Sequence, residues 1–192
     1  QLHRRSSALK AAVRGGDNSE PEQAFRDGTF LLARLVTARH TPRSHALLPE
    51  ACTHLLTGGT GGIGLLTAGW LAEAGRRSHL VLISRSGHLI VDDAEKLRTG
   101  GAAAMLVRPC DAAQPTEDRA TFAAMQVDLP PLRCVWHTAG VLADGLVTQQ
   151  DASMLRRAYG PKAGSAWHLH GAHLTAPLHA CVHFSSIAGL IG

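Results

Sequence analysis

Aromatic residues are scarce in this sequence, and long apolar runs are absent. Aromatic side chains account for 4% of the 192 residues, and the basic excess before residue 45 has only Phe25 and Phe30 as aromatic neighbours. A nucleic-acid surface needs clustered basic side chains and rings that stack on bases. We therefore interpret the net charge of +4 as a solvated surface and predict no nucleic-acid partner. No apolar run approaches the ~20 residues that span a bilayer, and no secretory leader is visible, so we predict no membrane segment.

The four cysteines do not form a recognisable metal or disulfide motif. Cys134 and Cys181 lie inside apolar runs, and Cys52 and Cys110 lie at the edges of such runs. No two are spaced as Cys-x-x-Cys, and the twelve histidines include no His-Glu-x-x-His pair. We predict buried, reduced thiols, no metal site and a reducing, cytoplasmic compartment, with disulfides or zinc as the alternative.

What the sequence does contain is a glycine-rich loop, TGGTGGIG at residues 57–64, between the apolar pair Leu55-Leu56 and a helical pattern that begins at Leu65. Such a turn between a strand and a helix holds a dinucleotide pyrophosphate, because glycine lets the backbone approach the phosphates and the helix N-terminus offers N–H groups and a partial positive charge. No Lys-Ser/Thr pair follows the last glycine, which disfavours a P-loop. An ordinary glycine-rich loop is the alternative. The predicted phosphate-binding residues are Gly58, Gly59, Thr60, Gly61, Gly62, Ile63 and Gly64.

From Cys52 onward, short apolar strands alternate with helical segments. The predicted strands are 53–57, 79–84, 104–108, 133–137 and 180–185, and the predicted helical segments are 62–74, 92–97, 116–127 and 152–173. This alternation predicts right-handed βαβ units in an α/β, Rossmann-like, doubly wound parallel sheet. We expect the strand order 3-2-1-4-5, with the ligand outside the carboxyl ends of the strands.

Residues at the ends of the next strands indicate which dinucleotide would bind. The second strand ends in Ser84-Arg85, and no acidic residue follows until Asp92. An acidic residue there would bind the ribose hydroxyl of NAD, whereas an arginine accommodates the 2′-phosphate of NADP, so we predict NADP, with a solvated arginine as the alternative. After the third strand comes Cys110-Asp111, whose carboxylate would accept from the adenine amino group, cap the next helix, or do both. Small residues after the fourth strand would let the ribose lie close to the backbone, with a structural turn as the alternative: His137, Thr138, Ala139 and Gly140.

Together these motifs resemble the ketoreductase domain of modular polyketide synthases, a relative of the short-chain dehydrogenases/reductases. The resembling stretches, in family order, are 57–64, 84–87, 110–112, 137–142, 161–170 and 184–189. The run 21–36 is similar to the end of the structural subdomain that precedes the catalytic one in that family. The resemblance implies that residues 1–48 are the tail of that subdomain with a linker. Residues 49–192 would be the N-terminal part of the NADP-binding catalytic unit, truncated before its last strands.

The resemblance also implies the reaction, which is hydride transfer from NADPH to the β-ketone of an acyl chain on an acyl carrier protein, beside neighbouring synthase domains. It implies that Ser186 hydrogen-bonds the ketone oxygen and that Lys162 belongs to the catalytic set, through oxyanion stabilisation and an acid whose pKa a nearby cation lowers. The family's tyrosine and asparagine would fall beyond Gly192. The single tyrosine, Tyr159, precedes Gly160-Pro161, a pair that a helix interior does not tolerate, and we expect it to be structural. We therefore expect this chain alone to bind NADP weakly and not to turn over.

A subtype signal and two alternatives complete the sequence reading. Leu142-Ala143-Asp144 keeps the leucine and the second aspartate of a Leu-Asp-Asp motif that marks one stereochemical class, so Asp144 is the candidate stereocontrol residue. Ile191 stands where the opposite class has tryptophan, and the balance implies a D-configured 3-hydroxyl. The first alternative is a degenerate, non-catalytic reductase that serves as a spacer in a megasynthase. The second is a free-standing short-chain dehydrogenase with a small substrate, against which the upstream run argues.

Overall fold

The computed structural model describes residues 23–27, 29–32, 51–74, 77–172 and 177–186. The chain divides into two compact units, Ala46–Phe184 on the one hand and Gln1–His45 with Ser185–Gly192 on the other. The described part of the smaller unit contains an antiparallel hairpin of β1 (Gln23–Arg26) and β2 (Thr29–Leu32). Most of the predicted tail and linker, 1–48, lies outside the described residues, as does Ile191.

A five-stranded parallel sheet forms the centre of the larger unit. Its strands, in chain order, are β3 (Thr53–Thr57), β4 (His79–Ser84), β5 (Ala104–Pro109), β6 (Leu132–His137) and β7 (Ala180–His183). Their order across the sheet is β5-β4-β3-β6-β7, which is the predicted 3-2-1-4-5 arrangement and confirms the Rossmann-like fold. The order reverses beside β3, so the loop that follows β3 lies at the switch point where such sheets bind ligands.

Helices cover both faces of this sheet. They are α1 (Gly62–Glu73), α2 (Val91–Thr99), α3 (Pro115–Asp128), α4 (Ala152–Tyr159) and α5 (Ser165–Ala172), with a short 3₁₀ turn at Val147–Gln149. α3 begins with a proline at its first position, where the missing N–H removes no helical bond. α4 begins after Asp151, whose carboxylate accepts from the backbone N–H groups of Ser153 and Met154, both at 2.8 Å.

The predicted continuous helical region 152–173 is interrupted in the structure. Between α4 and α5 lies a π-helical turn, Gly160–Gly164. A proline inside an α-helix removes one hydrogen bond and clashes with the preceding turn, and the wider π turn accommodates Pro161. Such turns occur often at functional sites, and this one brings Lys162 next to the loop after β6.

The core has two layers, one on each face of the sheet. On one face Leu56, Leu82 and Trp136 pack against Leu71 of α1 and Leu97 of α2. On the other face, Phe122 and Met125 of α3 and Leu169 of α5 pack against the sheet. The strand residues of this layer are Leu55, Val81, Ile83 and Val135. Full burial of each large apolar side chain stabilises the fold by roughly 1.5–3 kcal/mol. Strands buried on both faces explain why the apolar runs were nearly continuous in the sequence.

Three of the four cysteines are buried as predicted, and the fourth is not. Cys52, Cys110 and Cys134 are at most 3% exposed, whereas Cys181 is exposed. Cys181 lies on β7, one of the two edge strands of the sheet in the described part of the chain, and the prediction of burial for this residue is wrong. Among the residues that the structure describes, no helix combines the length and the apolar character that a membrane span requires.

Candidate active site

A cleft of about 740 Å³ lies at the carboxyl ends of β3, β4, β5 and β6. This volume is typical of a site that holds a small molecule or cofactor. The cleft brings together thirteen of the residues predicted from sequence: Gly58, Thr60, Gly61, Gly62, Ile63, Gly64, Ser84, Arg85, Cys110, Asp111, Thr138, Ala139 and Gly140. It also includes four that were not predicted as site residues: Ser86, Ala112, Val141 and Pro161. Three of these four directly follow predicted ones, whereas Pro161 enters through the π turn.

The glycine loop is shaped by close backbone contacts. Gly58 has φ +64°, and a Cβ there would lie 2.8 Å from the Cα of Ala139. A Cβ on Gly64 would lie 2.7 Å from the Cα of Gly59 and would also contact the carbonyl oxygen of Gly58. Any side chain at these positions would therefore push the loop away from β6 or from the first turn of α1.

The first turn of α1 faces the cleft without a capping side chain. Its N-cap is Gly61, and no side chain accepts a hydrogen bond there. The first backbone N–H groups of a helix lack intrahelical partners and carry a partial positive charge. Gly62, Ile63 and Gly64 line the cleft, so this turn is an anion-binding element of the kind that holds phosphates.

Gly59 has a different position from the rest of the loop. It is buried, and its backbone N–H donates to the carbonyl of Ile83 on β4 at 3.0 Å. A Cβ at this position would lie 2.9 Å from the Cα of Leu82. Gly59 therefore packs the loop against β4 and is not among the residues that line the cleft.

The chemistry of the cleft differs from strand to strand. Arg85 is exposed directly after β4, and Asp111 is the only acidic residue among those that line the cleft. The Asp111 carboxylate accepts from the backbone N–H of Ala113 at 3.0 Å. Because α3 has its N-cap at Gln114, the alternative that Asp111 caps this helix is wrong, and its side chain stabilises a local turn instead.

Behind the cleft, His137 connects two parts of the site. It is 4% exposed and does not line the cleft, although it was predicted to bind the cofactor together with the three residues after it. Its Nδ1 lies 2.6 Å from Oγ1 of Thr57, and its Nε2 lies 3.0 Å from the carbonyl oxygen of Lys162. Burial is the main cause that lowers the pKa of His137.

Lys162 lies at the edge of the cleft. Its side chain is exposed, and its Cε would be 3.0 Å from a Cβ on Gly140, so the aliphatic part of the lysine passes over this glycine. Both Gly140 and Pro161, the residue before the lysine, line the cleft. The predicted catalytic lysine and the predicted cofactor residues therefore adjoin one another.

Asp144 and Ser186 are the remaining residues of the predicted site. Asp144 is exposed and is not among the lining residues. Ser186 is exposed and belongs to the smaller unit. Tyr159 is 64% exposed at the end of α4. Because the π turn begins at the next residue, Tyr159 and Lys162 do not lie on one regular α-helix.

A cluster of two thiols and one imidazole lies in the core and was not predicted from the sequence. Cys52, His54 and Cys134 are buried, and their sulfur and ring nitrogen atoms lie within 4.8 Å of one another. Trp136 donates from Nε1 to Nδ1 of His54 at 3.2 Å, so the neutral ring carries its proton on Nε2, which lies 3.4 Å from Sγ of Cys52. Burial lowers the pKa of His54 to about 4 and raises that of Cys134 to about 12. Both ring nitrogens of His54 have hydrogen-bond partners, Trp136 and Cys52, so we interpret the cluster as a hydrogen-bonded part of the core.

Comparison with known proteins gives a consistent set of matches. The family model described as "KR domain" matches residues 52–192. The spectinabilin polyketide synthase system protein NorB of Streptomyces orinoci is 35% identical over 201 residues, which cover 100% of this chain and 9% of that protein. The chain thus spans only a small part of the curated relative.

Two solved structures are similar over nearly the whole chain. A structure of A-type ketoreductases from a modular polyketide synthase has a TM-score of 0.77 and 34% identity, covering 98% of this chain and 40% of that one. The ketoreductase from the first module of phoslactomycin biosynthesis in Streptomyces sp. HK803 has a TM-score of 0.80 and 32% identity, covering 96% and 42%. The chain therefore corresponds to less than half the length of either solved protein.

Proposed function

The chain belongs to the KR domain family of polyketide synthases, within the short-chain dehydrogenase/reductase superfamily, and on that premise we propose that it serves the NADPH-dependent reduction of a β-ketoacyl thioester. The substrate would be carried by an acyl carrier protein, and neighbouring synthase domains would be its partners. The observation that carries the proposal is the cleft, which combines an uncapped helix N-terminus, an arginine after β4 and a lysine at its edge.

The cleft fits the nicotinamide dinucleotide that this reaction needs. Gly58 and Gly64 let the loop pack closely against the backbone of Ala139 and Gly59, and the first turn of α1 offers N–H groups to a pyrophosphate. Arg85 directly follows β4 and lines the cleft, with no acidic lining residue beside it after that strand; this supports binding of a 2′-phosphate, which an arginine accommodates. NADPH would supply the hydride. The residues of the chain would hold the cofactor and orient it toward the ketone.

The proposal assigns the chemistry of the ketone oxygen to side chains beyond the glycine loop. The Lys162 ammonium would stabilise the negative charge that develops on this oxygen and would lower the pKa of the acid that protonates it. The Ser186 hydroxyl would donate a hydrogen bond to the same oxygen, and Asp144 would influence which face of the ketone is presented. These three roles rest on the family resemblance.

Cofactor selection tests the proposal directly. The dissociation constants of NADPH and NADH are measured with the purified chain, using the fluorescence of the reduced nicotinamide. We expect NADPH to bind more tightly, and Arg85→Ala to weaken NADPH at least about 10-fold while leaving NADH unchanged, because a hydrogen bond to a charged group contributes roughly 1.5–3 kcal/mol. Arg98→Ala is the matched control, since Arg98 is exposed on α2 and does not line the cleft. Equal affinity for the two cofactors in the unsubstituted chain would contradict the proposed NADPH dependence.

Turnover by this chain alone is a separate part of the proposal. Its only tyrosine is Tyr159, which is 64% exposed at the end of α4 and is not among the residues that line the cleft. We expect the 192-residue chain to bind NADPH without oxidising it in the presence of a β-ketothioester. Oxidation by the purified chain would overturn this expectation.

A further inference from the structure

His137 forms a bridge between the glycine loop and the π turn. On one side its Nδ1 is 2.6 Å from the hydroxyl of Thr57, the last residue of β3 before the loop. On the other side its Nε2 is 3.0 Å from the backbone carbonyl of Lys162. Thr57 and Lys162 lie far apart in the sequence, so the bridge joins two distant segments of the chain.

The hydrogen-bond partners of His137 select the tautomer of its neutral ring. A backbone carbonyl only accepts, so Nε2 carries the proton and donates it to Lys162. Nδ1 is then the acceptor, and the Thr57 hydroxyl donates to it. The same hydroxyl oxygen accepts from the backbone N–H of Ala139 at 3.4 Å. Of the two neutral tautomers, only the Nε2–H form satisfies both contacts, and burial, which lowers the pKa of His137, favours the neutral ring.

The bridge acts on the π turn, where the carbonyl of Lys162 also accepts from the backbone N–H of Ser165. Pro161 has no N–H to donate, and glycines occupy both ends of the turn, at Gly160 and Gly164. The side chain of Lys162 is fixed from the same strand end, since its Cε passes over Gly140, three residues after His137. The end of β6 therefore holds Lys162 both by its carbonyl and by its aliphatic chain.

The ring of His137 is also supported from β7. The rings of His137 and His183 meet edge to face, with their centroids 5.6 Å apart and an interplanar angle of 73°. Nε2 of His183 lies 3.4 Å from Sγ of Cys181. The edge-to-face contact packs the ring of His137 without taking either of its nitrogens.

We propose that His137 is a positioning residue, which sets the place of the Lys162 ammonium relative to the cofactor loop. The proposal rests on the function proposed above for Lys162. His137 is buried and does not line the cleft, so it acts on the reaction only through the lysine and the loop. Misplacing a catalytic group by about 1 Å lowers the rate by up to roughly 100-fold, which is the scale of effect that loss of the bridge would have.

Three substitutions separate the parts of the bridge. His137→Gln keeps a donor near the position of Nε2, His137→Asn keeps an acceptor near the position of Nδ1, and His137→Phe keeps only the ring. His183→Phe is the matched control, because it changes the other ring of the pair and leaves both hydrogen bonds of His137 intact.

The first measurement needs no turnover. Hydrogen exchange is followed by mass spectrometry in peptides that cover residues 160–165 of this chain. We expect faster exchange in His137→Phe and His137→Asn, and near-normal exchange in His137→Gln and His183→Phe. Unchanged exchange in His137→Phe would show that the bridge does not hold the π turn and would overturn the inference.

The second measurement uses the synthase protein that contains this chain. We expect His137→Phe and His137→Asn to lower kcat by about 10- to 100-fold with little change in the KM for NADPH, and His137→Gln to restore part of kcat. A normal kcat in His137→Phe, or an equal loss in His183→Phe, would refute the positioning role. If the unsubstituted protein binds NADPH and does not reduce the thioester, the proposed function is wrong. The role of His137 in positioning a catalytic lysine is then wrong as well. The exchange data would still show whether His137 holds the π turn.

Discussion

Gly64→Ala and Gly69→Ala make the same change at two positions of α1, and we expect them to change the free energy of unfolding in opposite directions. A methyl group on Gly64 would lie 2.7 Å from the Cα of Gly59, whereas two carbon atoms rest at roughly 3.5–4.0 Å. The loop or the first turn of α1 must therefore move by about 1 Å, and such overpacking costs roughly 1–3 kcal/mol. A methyl group on Gly69 meets no atom within 4 Å, and replacing glycine by alanine inside a helix stabilises it by about 1 kcal/mol.

The two variants should thus differ by about 2–4 kcal/mol in the free energy of unfolding, measured by urea denaturation followed by circular dichroism. A shift of about 1 Å also misaligns the N–H groups that would hold the pyrophosphate, since such bonds need donor–acceptor distances near 2.9 Å. We therefore expect Gly64→Ala to weaken NADPH binding at least about 10-fold, and Gly69→Ala to leave it unchanged. Equal stabilities, or normal NADPH binding by Gly64→Ala, would refute the account of the loop.

Two further predictions concern stability. Burial lowers the pKa of His54 from 6.5 to about 4, so the unfolded chain takes up a proton before the folded protein does as the pH falls. The resulting contribution to the free energy of unfolding, about 3 kcal/mol, is present above pH 6.5 and is lost between about pH 6.5 and 4. His54→Gln should reduce this pH dependence, measured by urea unfolding at pH 7 and pH 4.5, whereas an unchanged dependence would contradict the prediction. Asp151→Ala removes the carboxylate that caps α4 and should lower the unfolding midpoint, while Asp151→Asn, which keeps an accepting oxygen, should lower it less; equal midpoints for both variants would contradict the capping role.

The sequence predicted the sheet well, and the reason is physical. Strands such as β4, with Leu80 to Ile83 all at most 1% exposed, are buried on both faces and leave a continuous apolar run that glycine and polar residues interrupt at the strand ends. The glycine loop could be located in the same way, because Gly58 and Gly64 occupy positions where backbone segments nearly touch. These signals are local in the chain.

Features that depend on contacts between distant strands could not be predicted. Cys52, His54 and Cys134 lie close together because β3 pairs with β6. The register of this pairing shifts between Thr53 and His54. The burial of His137 behind the cleft depends on where the π turn brings the carbonyl of Lys162. The exposure of Cys181 follows from the edge position of β7 in the described part of the chain, which an apolar run by itself does not indicate.

The most direct test of the proposed function follows the hydride itself. The synthase protein that contains this chain is incubated with a β-ketoacyl thioester and with NADPH that carries deuterium at C4 of the nicotinamide, in separate experiments for each face of the ring. The account predicts that deuterium from one of the two forms appears on the carbon that bears the new hydroxyl, and that Lys162→Ala slows this transfer without preventing NADPH from binding. Binding of NADPH with no deuterium in any product would contradict the account and would favour a non-catalytic, structural role for this domain.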